Sequence, residues 1–136
     1  MKITVDKNEV KLTNLDKIFW PSSQLTKKDL INYYVDIYPI IKDYLKNRPL
    51  SLKIYPDGIR GKSFYRKDCP DYAPDWLTRI PIHSSHRDNN INWIMVNKLS
   101  DLIWIANHAS IELHGWFSSA NHLQQPDFAV FDLDPG

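Results

Sequence analysis

The chain has 136 residues, 43% hydrophobic and 24% charged, which is an ordinary composition for one globular domain with a real core. Its net charge of +1 gives no sign of a nucleic-acid partner, so any basic binding site must be local. The single cysteine, Cys69, excludes an internal disulfide, and no signal peptide or membrane-length apolar stretch is visible. We therefore expect one domain over residues 1–136 and a cytoplasmic protein without a membrane partner.

The first elements are short. Residues 2–5 and 9–12 alternate in polarity and are predicted to pair as strands across residues 6–8. Asn14 is a plausible N-cap for a short helix over residues 15–20, which Pro21 would end. Lys17 would then lie in the first turn of that helix.

The longest helix is predicted to begin at Thr26. Thr26 and Asp29 fit the capping-box pattern, and apolar residues follow at helical spacing as far as Leu45. Pro39 lies inside this stretch and should kink the helix or divide it in two, because proline cannot donate the helical hydrogen bond.

Two lysines, Lys27 and Lys28, follow the cap at the positive end of this helix, where cations are slightly unfavourable. Free backbone N–H groups together with lysines at a helix start form a phosphate site. Lys17 lies at the start of the preceding predicted helix and could join them. The alternative is that these lysines are simply solvated on an exposed turn.

A β-hairpin is predicted next. Residues 50–55 read as a strand that presents Lys53 on the sheet surface, followed by a turn at residues 56–58 and a returning strand containing Phe64 and Tyr65. Adjacent residues on a strand face opposite ways, so one aromatic ring could fill the core while the other stays exposed. An exposed ring beside Arg66 would suit stacking on a nucleobase, whereas a ring covering a small core is the competing interpretation.

The remaining elements alternate between strands and one helix. Strands are predicted over residues 76–82, 91–96 and 111–116, and a helix over residues 99–108 with Asn97 or Ser100 as its cap. The first of these is expected to be a strand or an edge strand that Pro81 breaks. In the last strand Glu112 and His114 share one face, and a lone histidine there is open to a purely structural role.

The final residues predict a metal site. Residues 128–133 read as a buried strand closed by Pro-Gly, and Asp132 and Asp134 would leave it on the same face. Two neighbouring carboxylates repel each other unless a cation lies between them, so Mg²⁺ or Mn²⁺ held against a phosphate is the economical explanation. The alternative is a pair of solvated aspartates leading into a turn.

Together these segments resemble the polymerase domain of bacterial and archaeal DNA ligase D, a branch of the archaeo-eukaryotic primase superfamily that works in non-homologous end joining. The resemblance includes Thr-Lys-Lys-Asp-Leu at 26–30, Asn-Arg-Pro-Leu at 47–50, Ile-Glu-Leu-His at 111–114 and Phe-Asp-Leu-Asp-Pro-Gly at 131–136. The matching segments occur in the family's order and cover nearly the whole chain: residues 12–21, 26–34, 47–58, 64–67, 73–76, 102–107, 111–114 and 131–136.

The resemblance implies a mixed α/β (α+β) fold with a mixed or antiparallel sheet and two to three helices. It also implies four pairs of site residues in this chain. They are metal-binding catalytic aspartates at Asp132 and Asp134, DNA 5′-phosphate contacts at Lys17 and Lys27, nucleotide contacts at Lys53 and His114, and template-stacking aromatics at Phe64 and Tyr65. The family commonly has two phenylalanines at the last pair, so Tyr65 is a mild departure.

The family domain is about twice as long as this chain, which leads us to expect its N-terminal portion only. We therefore expect a second polypeptide or domain to supply the remaining ligands, and little polymerisation by the 136 residues alone. The resemblance implies Mn²⁺ or Mg²⁺ as cofactor, with 5′-phosphorylated DNA, nucleoside triphosphates, a ligase and Ku as partners, in the nucleoid. The alternatives are a non-catalytic module that binds DNA 5′-phosphate ends, or an unrelated metal-dependent phosphohydrolase.

Overall fold

The computed structural model describes residues 1–135 as a mixed α+β domain, which confirms the expected fold class. Two helices, α1 (Lys27–Leu45) and α2 (Leu99–Asn107), accompany short strands that all pair antiparallel. The strands in this part of the chain are β1 (Lys2–Val5), β2 (Asn8–Lys11), β3 (Ile18–Trp20), β4 (Leu25–Thr26), β5 (Leu50–Ile54), β6 (Phe64–Arg66), β7 (Arg79–Ser84), β8 (Asn89–Ile94) and β9 (Ser110–Gly115).

Strand β5 is the centre of the main sheet. Leu50 pairs with Gly115 of β9 and with Ile94 of β8, and Leu52 pairs with Leu113 of β9 and with Arg66 of β6. Because a strand has two edges, β9 occupies one edge of β5, and β6 and β8 share the other. Strand β7 pairs along β8.

The hydrophobic core lies between one face of this sheet and the two helices. Burial alternates along β5: Leu50, Leu52 and Ile54 are buried, and Ser51 and Lys53 between them face the other side. This alternation follows from the period of two along a strand. Helix α2 is buried along almost its whole length, as the apolar spacing predicted. In α1 the predicted stripe is buried at Leu30 and Tyr34, but Ile37, Ile41 and Leu45 are only partly buried and Tyr44 is exposed.

The expected helix over residues 15–20 is wrong. Asn14 has a φ of 54°, and residues 18–20 form β3, which pairs with β4. Phe19 is fully buried, and the backbone at Gly58 passes so close to it that a Cβ at Gly58 would lie 2.7 Å from the Phe19 carbonyl oxygen. Tertiary packing of this one ring therefore outweighs the weak helix signal. The predicted β1–β2 hairpin is confirmed.

The two helices keep their predicted positions but differ in detail. Helix α1 has the complete Thr26–Asp29 capping box, as predicted, and it runs undivided through Pro39. Helix α2 has no side-chain cap, because the Asn97 side chain instead bonds to Asn47. The strand predicted to begin at residue 76 begins at Arg79, and the predicted break at Pro81 is wrong, because β7 continues through it. β7 tolerates the proline because, within residues 1–135, only β8 pairs with it.

The strand predicted over residues 128–133 is not formed. From residue 117 to residue 135 the described chain has no helix or strand, and Phe131 and Leu133 are 85% and 83% exposed. An apolar run becomes a strand only where a neighbouring strand satisfies its backbone groups, and within residues 1–135 none pairs with it. The interpretation of Asp132 and Asp134 as neighbours on a buried sheet is therefore wrong for this structure.

Within residues 1–135, neither α1 nor α2 is long and apolar enough to cross a membrane.

Candidate nucleic-acid and nucleotide site

The first turn of α1 does not offer the free N–H groups that the sequence predicted. The Lys27 N–H donates to the Lys17 carbonyl oxygen at 2.8 Å, and the Lys28 N–H donates to the Leu15 carbonyl oxygen at 3.0 Å. The Asp29 N–H donates to Thr26 Oγ1 at 3.3 Å. These bonds fix the lysines but occupy the backbone donors, so any anion site here depends on side chains.

Those side chains meet around a cavity of about 310 Å³ between β3, the start of α1, β6 and the end of α2. Lys17 and Lys27, predicted together from the sequence, both line it, and Lys28 does not. Phe64 lines it from β6. The other lining residues are Thr13, Asn14, Phe19, Ile54, Pro56, Arg66, Tyr72, Asn107, His108 and Ala109.

Lys27 is the unusual member of this cavity because it is a buried cation, with 5% of its surface exposed. Its Nζ donates to the Thr13 carbonyl oxygen at 2.6 Å and to Thr13 Oγ1 at 3.3 Å. Burial, and then the positive charge of Lys17, lower the pKa of Lys27 to about 8. A bound anion would relieve both effects.

Lys17 is more exposed and lies against a carboxylate. Its Nζ donates to Asp57 Oδ1 at 2.6 Å, and Asp57 belongs to the turn that follows β5. This turn was predicted, and its Gly58 N–H bonds to the Tyr55 carbonyl oxygen. The pair holds the lysine at the cavity mouth, although an exposed ion pair of this kind adds little stability.

The structure adds four residues to the cavity that are not predicted for this site from the sequence: Asn14, Arg66, Tyr72 and His108. Arg66 could have been found, because strand alternation puts it on the same face as Phe64. The others could not, since they lie on loops and at a helix end that only the fold brings together. The His108 ring stacks on Trp104 with centroids 3.8 Å apart, and burial lowers the pKa of His108.

A second cluster lies on the opposite, open face of the sheet. Lys53 of β5 pairs with Tyr65 of β6 on one side and with Glu112 of β9 on the other. His114, two residues beyond Glu112, shares this face. The family resemblance implied Lys53 and His114 as nucleotide contacts of one site, and the register of β5 and β9 places them on the same face.

The contacts within this cluster converge on Glu112. Lys53 Nζ lies 3.6 Å from Glu112 Oε2 and His114 Nε2 lies 3.3 Å from Glu112 Oε1, while the Tyr55 hydroxyl donates to Oε2 at 2.6 Å. The Tyr55 bond, followed by the Lys53 and His114 charges, lowers the pKa of Glu112. The Tyr55 contact is also the main cause that raises the pKa of Lys53. Glu112 is not among the site residues predicted from the sequence.

Phe64 and Tyr65 belong to different clusters. Phe64 pairs with Ile54 and faces the lysine cavity, and Tyr65 lies over His114 with ring centroids 5.8 Å apart. The rings do point opposite ways, but the expectation that one fills the core is wrong, because they are 45% and 58% exposed. The core side of β6 opens into the cavity, so Phe64 is not enclosed, and Tyr65 lies on the open face beside His114.

Asp132 and Asp134 are exposed in the segment after β9. Carboxylate oxygens are the donors that Mg²⁺ and Mn²⁺ prefer. However, no group of three His, Cys, Asp or Glu side chains in residues 1–135 is arranged to hold a metal ion. The described residues therefore do not form a complete metal site, although the donor type fits a hard divalent cation.

The sequence of this chain is similar to those of known DNA-repair proteins. The multifunctional non-homologous end joining protein LigD of Mycolicibacterium smegmatis is 33% identical over 129 residues, covering 93% of this chain and 17% of that protein. The bifunctional LigD of Bacillus subtilis is 34% identical over 127 residues, covering 93% and 20%. This chain thus spans about a fifth of the length of these relatives.

A solved structure agrees with these sequence matches. The polymerase domain of Mycobacterium tuberculosis ligase D in complex with DNA superposes with a TM-score of 0.72 at 31% identity, covering 78% of this chain and 36% of that one. The family model described as the LigD primase-polymerase domain matches residues 26–136. This chain belongs to the LigD primase-polymerase domain family.

Proposed function

We propose that this chain is a DNA-repair module of non-homologous end joining that binds DNA with a 5′-phosphate at a gap or double-strand break. The observation that supports it best is the cavity where the buried cation of Lys27 meets Lys17 and Arg66. The DNA-bound ligase D polymerase domain that superposes on this chain is consistent with it.

A terminal 5′-phosphate suits this cavity better than an internal phosphate does. Its second pKa is near 6, so it is close to a dianion at neutral pH, whereas an internal phosphodiester carries one charge. Two lysines and the Arg66 guanidinium around one small cavity favour the more highly charged group. Phe64 at the same cavity can stack on a base of the bound DNA.

We assign nucleoside-triphosphate binding to the open-face cluster. Lys53 supplies a cation for phosphate oxygens, His114 supplies a ring nitrogen beside it, and Tyr65 offers an exposed ring for template stacking. These groups lie on the opposite face of the sheet from the lysine cavity. The thickness of the sheet therefore separates the proposed site for the 5′-phosphate of the DNA from the proposed site for the incoming nucleotide.

For template-directed nucleotidyl transfer we assign Asp132 and Asp134 as two carboxylate ligands of a Mg²⁺ or Mn²⁺ site, which would supply charge stabilisation at the triphosphate. Since residues 1–135 do not complete such a site, we infer that this chain is the N-terminal portion of a ligase D-type polymerase domain. A further polypeptide or domain would supply the other ligands. Ku and a ligase are the expected partners at a break, in the bacterial or archaeal nucleoid.

The binding proposal is tested with gapped DNA carrying either a 5′-phosphate or a 5′-hydroxyl, titrated at fixed salt. Wild type should prefer the phosphate by about tenfold, and Lys27→Ala should erase this preference. Lys28→Ala, on the exposed side of the same helical turn, is the matched control and should keep it. Loss of the contact should also lower the salt slope by about one. Equal wild-type binding of both gaps contradicts the proposal.

The second candidate is a non-catalytic module that binds 5′-phosphate ends. The exposed position of Asp132 and Asp134 favours it for this chain in isolation. Primer extension with Mn²⁺ and nucleotides separates the two. Activity that appears only when the rest of a ligase D polymerase domain is added, and is lost with Asp132→Asn, supports the catalytic function. No activity in that mixture supports the binding module.

A further inference from the structure

Glu112 contacts both Lys53 and His114, the two proposed nucleotide contacts. A single carboxylate reaches Lys53 Nζ with Oε2 at 3.6 Å and His114 Nε2 with Oε1 at 3.3 Å. Lys53 and His114 lie on different strands, and the antiparallel register puts Glu112 directly opposite Lys53. The carboxylate therefore bridges the two side chains across the sheet.

Glu112 is itself held by a more rigid neighbour. The Tyr55 hydroxyl donates to Glu112 Oε2 at 2.6 Å, and Tyr55 is a buried residue at the end of β5. A charge-assisted bond of this length is among the stronger hydrogen bonds in proteins. Because the Tyr55 ring is fixed by packing, the orientation of the carboxylate is fixed with it.

The contact with Lys53 is long enough to leave the ammonium available. A direct N–H to oxygen bond is about 2.9 Å long, and the Lys53 contact is longer, at 3.6 Å. An ammonium has three donors, and one carboxylate oxygen engages at most one of them. Lys53 can therefore turn donors toward a phosphate while the carboxylate still restricts its position.

Restricting Lys53 before binding has a clear benefit. A lysine side chain carries about 2 kcal/mol of rotamer entropy, which a flexible lysine loses when it engages a phosphate. A side chain already held near its bound position loses less, so affinity rises without any new contact with the ligand. A lysine–glutamate pair has the same role toward the phosphates of ATP in protein kinases.

We propose that Glu112 is a positioning residue that, supported by Tyr55, holds Lys53 and His114 in place for the phosphates of a nucleoside triphosphate. This inference rests on the proposed function of Lys53 and His114. It assigns Glu112 no contact with the nucleotide. It also adds Tyr55, whose hydroxyl would otherwise have no part in the site.

The test is titration of the isotopically labelled chain with MgATP, followed by NMR. Glu112→Gln removes the charge but keeps the shape and should weaken binding by about threefold to tenfold. Tyr55→Phe keeps Glu112 and should weaken binding less, with no further loss when both changes are combined, because the two residues act in series. Glu9→Gln changes an exposed glutamate paired with Lys2 on the β1–β2 hairpin and should have no effect.

The Lys53→Ala variant separates failure of this inference from failure of the proposed function. If Lys53→Ala weakens binding and Glu112→Gln does not, Glu112 has no positioning role and the nucleotide site stands. If wild type does not bind, or Lys53→Ala binds equally well, the nucleotide site itself is wrong and this inference falls with it. Should Glu112→Gln fail to fold, as judged by its amide spectrum, Tyr55→Phe decides in its place.

Discussion

The lowered pKa of Lys27 makes the preference for a 5′-phosphate depend on pH. Lys27 titrates at about 8, because burial and Lys17 both disfavour its charged form. The 5′-phosphate is a dianion above about pH 6. Between pH 7 and pH 9 the lysine therefore loses its charge while the phosphate keeps both of its charges. We predict that the preference for 5′-phosphate over 5′-hydroxyl gaps falls across this range.

The size of the fall follows from the charged fraction. For a pKa of about 8, Lys27 is about 0.9 charged at pH 7 and about 0.1 charged at pH 9. If binding requires the charged form, the preference falls by about tenfold, or about 1.4 kcal/mol. His108 in the same cavity does not gain charge over this range, because burial lowers its pKa.

The assay measures fluorescence anisotropy of labelled gapped DNA at constant ionic strength, in half-unit pH steps. The 5′-hydroxyl gap reports every pH effect that does not involve the terminal phosphate, and the ratio of the two affinities isolates Lys27. Lys27→Met should give a small, pH-independent ratio, and Lys28→Met should follow wild type. A wild-type ratio that stays constant or rises between pH 7 and pH 9 refutes the reasoning.

Three further predictions concern stability and are read from urea unfolding followed by tryptophan fluorescence. Asp101 is fully buried, accepts hydrogen bonds from Thr78 and from the Asn97 N–H, and forms an ion pair with Lys98. Asp101→Ala should therefore lower the free energy of unfolding by about 3 kcal/mol. A loss below about 1 kcal/mol would show that the network relaxes. Gly58→Ala should cost about 2 kcal/mol, since φ is 93° and the new Cβ would meet the Phe19 backbone at 2.7 Å; an unchanged midpoint would contradict that packing. Thr26→Ala removes the cap of α1 and should cost about 1 kcal/mol, and Ser23→Ala, in the exposed turn before it, should be neutral.

Local patterns in the sequence were sufficient where structure depends on local physics. The capping box at Thr26, the alternation along β5 and the turn at Gly58 each have a short-range cause, and all three are confirmed. Lys53 and His114 could be associated only by family resemblance. The sequence alone does not reveal that β5 and β9 pair in a register that places Glu112 opposite Lys53.

The wrong predictions share a physical cause, which is dependence on distant partners. Residues 15–20 have weak helix propensity, and burial of Phe19 against the Gly58 turn decides for a strand. The backbone donors of Lys27 and Lys28 looked available, but the residues before β3 supply carbonyl oxygens to both. Residues 128–133 have strand composition, and within residues 1–135 no strand pairs with them.

The β5–β6 hairpin has a mechanical consequence. Phe64 and Tyr65 are consecutive residues, yet one belongs to the lysine cavity and the other to the cluster around Glu112. The distance between the two clusters is therefore set by covalent geometry and strand pairing, and thermal motion of the hairpin shifts both clusters in concert. The hairpin therefore acts as a short, stiff spacer. For a ligand bound in one cluster, the distance to the other cluster is set before binding.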